Sequence, residues 1–149
     1  MKKLLLILLF IASALTITSC KKDKVTDSNQ ATIAKLQGRW EATKYYIKQY
    51  EVENNNKLVT DKTANYPAND RGVAYNGTEI SFISKGAIGA TYTYAIVGNE
   101  LRIREDNYGI YYKLNLYSDT EHSLMEESYY TNTKKVKIKE VRETYYAKK

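Results

Sequence analysis

The sequence predicts an all-β domain, an eight-stranded up-and-down antiparallel barrel entered through a short N-terminal helical turn. Three observations lead there. The 149 residues include 15 Tyr against 2 Phe and 1 Pro, and tyrosine at that level favours strands. Beyond Gly38 no amphipathic segment reaches helix length. Six strand-like runs then follow one another through short turns, which makes each strand the neighbour of the next. A strongly twisted meander of eight strands tends to close on itself and so remove its edges. A β-sandwich remains the rival fold, although it calls for longer crossovers than these hairpins.

Taken in chain order, residues 31–36 form a helical turn, with Ile33 and Leu36 three apart on one face, and Gly38 ends it. Residues 39–52 form a long first strand, 54–56 a turn and 58–60 a short second strand. Residues 61–76, with Pro67, Asn69, Asp70 and Gly72, read as an irregular loop long enough to act as a lid. Six strands follow at 78–84, 90–97, 100–105, 110–117, 123–131 and 135–146.

Alternation assigns one face to Ile80 and Phe82, Tyr92, Tyr94 and Ile96, Leu101 and Ile103, and Tyr112, Leu114 and Leu116. Lys44 and Glu126 interrupt the pattern, and a bulge near Lys44 would restore it. The pairs Tyr45-Tyr46, Tyr111-Tyr112, Tyr129-Tyr130 and Tyr145-Tyr146 place one ring on each face of a strand.

The first twenty residues carry an address. Lys2 and Lys3 precede an apolar run from Leu4 to Leu15, the pattern of a secretion signal. A run of twelve is too short for the roughly twenty residues that a permanent helical span needs. Ile17, Thr18 and Ser19 lead into Cys20, the chain's one cysteine, which excludes an internal disulfide. The stretch from 21 to 30 is polar and reads as a tether. Without Lys2 and Lys3, 21 basic side chains face 17 acidic ones, a net +4. That excess mildly favours anionic surfaces and does not indicate nucleic-acid binding.

The segment ending in Cys20 resembles the lipobox of bacterial lipoproteins. The resemblance implies a signal peptide over 1–19, diacylglyceryl transfer to the Cys20 thiol, cleavage after Ser19 and acylation of the new amine. A flexible tether over 20–31 and a folded domain over 32–149 complete the division. Several acyl chains hold a protein on a membrane where one would let it exchange, and the expected location is the cell envelope, at the outer membrane facing the periplasm. Gly38-Arg39-Trp40, after a helical turn and at the start of the first strand, resembles the G-x-W signature of the lipocalin superfamily. That likeness implies a lipocalin-like barrel with Trp40 plugging its closed end. It also implies a basic side chain from the last strand, Arg142, across the indole.

Reactive constellations are few. His122 reads as a solvated turn residue beside Asp119, Thr120 and Glu121. It cannot supply a zinc site alone, and no cofactor is expected. Glu105-Asp106 and Glu126-Glu127 point to opposite faces as adjacent strand residues, so neither pair converges on one bond. The stretch 86–89 lacks the Lys-Ser/Thr of a phosphate loop. The expected activity is therefore non-catalytic: an interior lined by Tyr92, Tyr94 and Tyr112 suits a small amphipathic or aromatic molecule. The alternative is a solid barrel whose outer face, or whose 61–76 loop, recognises a protein or glycan. A lumen of about 300 Å³ or more separates the two.

Overall fold

A computed structural model describes residues 27–105 and 108–149. The signal segment, Cys20 and the first part of the tether lie outside the described residues. One helix, α1 (Asp27–Leu36), precedes nine strands: β1 (Gly38–Glu51), β2 (Lys57–Asn65), β3 (Arg71–Asn76), β4 (Glu79–Ser84), β5 (Ala87–Val97), β6 (Glu100–Glu105), β7 (Tyr108–Leu116), β8 (Glu121–Thr131) and β9 (Lys137–Lys148). All pairings are antiparallel, in the order β2-β1-β3-β4-β5-β6-β7-β8-β9, and β1 also pairs with β9. The result is a closed eight-position barrel.

Nine strands fill eight positions because β2 and β3 share one edge of β1. The upper part of β1, Lys44 to Glu51, pairs with β2, and its lower part, Gly38 to Glu41, pairs with β3. The expected loop over 61–76 is therefore mostly strand, interrupted only at 66–70, and the expected short strand over 58–60 is the start of β2. The Asp61 to Asn65 stretch is polar because β2 has a partner on one side only and most of its side chains are exposed.

The helix begins at Asp27, so it takes in the last part of the stretch expected as tether. Three of its C-terminal carbonyls, which have no partner inside a helix, are met by side chains, and that of Ala34 by the Gln37 backbone amide at 3.3 Å. The Gln37 amide donates to the Ile33 carbonyl at 2.8 Å, the Trp40 indole to Leu36 at 2.6 Å and the Lys148 ammonium to Lys35 at 3.3 Å. Gly38, at φ 107°, turns the chain from helix into β1 with a conformation that a β-carbon disfavours.

The core occupies the helix end of the barrel. Leu36, Trp40, Val73, Tyr75, Ile80, Tyr94, Ile96, Leu101, Ile103, Leu114 and Leu124 are buried there, and the inward set expected from alternation is found in this core or packed on it. At Gly72 a β-carbon would run into the Trp40 carbonyl oxygen. Only glycine lets β3 lie against β1 at that point.

The seam between β1 and β9 runs from Trp40 opposite Lys148 to Glu51 opposite Ile138, with a register shift between Ala42 and Lys44. The extra residue is Thr43. Its carbonyl accepts the Tyr66 amide at 2.9 Å, and its hydroxyl donates to the Tyr145 carbonyl at 3.3 Å. The bulge turns Lys44 outward, over the Tyr145 ring, and Tyr45 and Ile47 inward.

The basic group over the Trp40 indole is Lys148, whose ammonium lies 5.2 Å from the ring centroid. Arg142 was expected there, but it stands opposite Ile47, well up the barrel from Trp40. The reason is register: β9 runs on to Lys148, and the seam brings that residue to Trp40. Because Trp40 is 1% exposed, Trp40→Ala should cost about 3–5 kcal/mol in urea unfolding. A loss under about 1 kcal/mol would contradict its place in the core.

Candidate functional site

The upper part of the barrel is hollow. A cavity of about 350 Å³ is lined near its floor by Phe82, Tyr112, Leu124 and Tyr146, and by Tyr66, Arg71, Ser84, Glu126, Arg142 and Thr144 elsewhere. Strand alternation places these groups. Leu124, Glu126 and Ser128 of β8 face Thr144, Arg142 and Glu140 of β9, so both strands change from apolar to charged as they leave the core. Glu126 is thus a wall residue of the cavity, which accounts for its break in the hydrophobic pattern.

The charges at the mouth are largely paired. Arg142 lies 3.1 Å from Glu140 and 4.0 Å from Glu126, and the Gln49 amide donates to Glu140 at 2.8 Å. Arg71 makes no ion pair and no side-chain hydrogen bond among the described residues. It stands opposite Ser84 on β4.

The three tyrosines expected in the lumen occupy different depths. Tyr112 lines the cavity, and burial followed by the Glu126 charge pushes its hydroxyl up to about 12. Tyr92 packs on the core beside Phe82, at 6.1 Å between ring centroids. Tyr94 is buried at the closed end, where its hydroxyl donates to the Gly77 carbonyl at 3.1 Å. Tyr66 and Tyr146 join Tyr112 in the cavity wall. The sequence puts one ring of the Tyr145-Tyr146 pair on each face, and the structure makes Tyr146 the inward one, whereas Tyr66 sits in the interruption between β2 and β3.

His122 is the main departure from expectation. It opens β8 rather than a turn, and it is fully buried. Its ring is stacked on Tyr146 at 4.9 Å and meets the edge of Trp40 at 4.4 Å. Nε2 lies 3.3 Å from the Tyr75 hydroxyl, while Nδ1 has no hydrogen-bond partner among the described residues. His122 therefore supports the cavity floor from beneath, through Tyr146. Among the described residues no group of three or more His, Cys, Asp or Glu is placed to hold a metal ion, and no helix is long and apolar enough to cross a membrane.

Neither the protein-family models nor the curated proteins include a match to this chain.

Burial lowers the His122 pKa to about 3, against about 6.5 for a free imidazole. The unfolded chain therefore binds one more proton between those values. The stability that this group governs is complete above about pH 6.5 and falls with acid by about 1.4 kcal/mol per pH unit. His122→Phe keeps a stacked ring and removes the titration. Urea midpoints at pH 7 and pH 4.5 should separate less in this variant than in the natural protein; equal separation would contradict the burial of a neutral imidazole.

Proposed function

We propose that this chain is a lipid-anchored, exported lipocalin-like protein that carries a small amphipathic or aromatic molecule in its barrel without transforming it. The observation that carries the reading is the cavity of about 350 Å³ above a closed apolar floor. That volume lies within the range of small-molecule sites, which combine apolar walls with a few placed polar groups. Phe82, Leu124, Tyr112 and Tyr146 supply the walls, and Ser84, Thr144 and the mouth charges supply polarity. The rival reading, recognition of a protein or glycan through the outer face or a 61–76 loop, keeps the outer face but loses most of that loop to β2 and β3.

The anchor rests on the sequence ending in Cys20. An acylated amino terminus ahead of α1 would hold the barrel close to a membrane, at the outer membrane facing the periplasm in this reading. Material for the cavity would then exchange with the envelope.

Two experiments test these parts separately. Organic extracts of the purified protein, read by mass spectrometry, should contain a small molecule that Thr144→Trp, which fills the cavity from β9, no longer retains at an unchanged thermal midpoint. Repeatedly empty extracts, or the same load in both proteins, would contradict carriage. Cys20→Ser should accumulate as an uncleaved, unacylated precursor, and normal processing of that variant would contradict the anchor.

A further inference from the structure

We propose that the cavity selects an anionic ligand, an aromatic or aliphatic body bearing a carboxylate or phosphate, and that Arg71 is the residue that receives the anionic head. The inference rests on the carriage reading and adds the ligand's chemical class.

Three charged side chains line the cavity: Arg71, Glu126 and Arg142. Arg142 already has two carboxylate partners, since Glu140 and Glu126 lie 3.1 and 4.0 Å from it, and Glu140 is further held by Gln49. A ligand anion approaching Arg142 would compete with both carboxylates. Arg71 has no such partner among the described residues, and a guanidinium presents five donors in a fork that matches a carboxylate or phosphate.

Its surroundings fit the same task. Arg71 begins β3 directly opposite Ser84. Two residues further along, Val73 opposite Phe82 begins the apolar floor, and alternation keeps all four residues on the inner face. The Ser84 hydroxyl and Tyr66 line the cavity with Arg71 and offer further donors to a bound oxyanion. The apolar wall of Phe82, Leu124 and Tyr112 lies beyond them, so a molecule with its head at Arg71 would lay its body on the rings. Glu126, on the same cavity wall, repels an anion and sets the affinity below what Arg71 alone would give.

The test is calorimetric titration of the full chain in nanodiscs, with protein-free nanodiscs as the blank. The three probes share one ring body: 2-naphthylacetate, 2-naphthylmethylphosphonate and the neutral 2-naphthylethanol. At least one anion should bind about tenfold tighter than the alcohol. Arg71→Met should remove that advantage and leave the alcohol unchanged. Glu126→Gln should tighten the anion, a gain that damage to the fold cannot produce. The tighter anion identifies the head as carboxylate or phosphate, and either supports the site. Equal binding of alcohol and anions, or a preference that survives Arg71→Met, would overturn the anion site while leaving carriage intact. If no probe binds, or if Thr144→Trp changes nothing, carriage itself fails and the anion site falls with it.

Discussion

A meander becomes a container only if its first and last strands meet in register with their inner faces turned the same way. The seam between β1 and β9 meets that condition through a single extra residue, Thr43. Without the bulge, the alternation that buries Trp40 and Ala42 would carry Lys44 inward and leave Tyr45 and Ile47 on the outside. With it, one strand serves two tasks: its lower half closes the core, and its upper half pairs with the stretch of β9 whose Arg142 and Thr144 line the cavity. The bulged backbone stays satisfied because Tyr66, in the interruption between β2 and β3, donates to the Thr43 carbonyl.

The two ends of the barrel divide the physical work. At the helix end, the Trp40 indole caps α1, and His122 and Tyr75 pack beneath Tyr146 of the cavity floor. A buried imidazole with one unpartnered nitrogen costs stability, and the aromatic contacts around it offset part of that cost. At the open end the side chains of Glu126 and Arg142 stay 40% and 44% exposed. Pairs so exposed contribute little to stability, so their consequence is the polarity of the mouth.

Much of the fold was legible because strands with one buried face reveal it by period. The runs from Ile80 to Leu116 alternate cleanly, and their register followed from short hairpins. Lys44 and Glu126 stood out as breaks, and each marks a real feature, the bulge and the cavity wall. What escaped was structure held by the main chain. The Asp61 to Asn65 stretch has no apolar face because β2 borders one strand only. His122 was hidden by its polar neighbours, although counting back by two from Leu124 would have put it on the inner face. The partner of the Trp40 ring was misassigned because closure register depends on where the last strand stops, and β9 runs to Lys148. Arg71 carried no signal at all, since its importance comes from carboxylates that pair elsewhere.

The claim on which all of this depends is that the seam is closed, and amide hydrogen exchange tests it most directly. The amides of β1 that point at β9, and those of β9 that point back, should exchange only through global unfolding, at rates matching the core amides of β4 and β6. Fast exchange of those seam amides while β4 to β7 remain protected would mean that β1 and β9 are free edges, and the cavity would have no wall on that side.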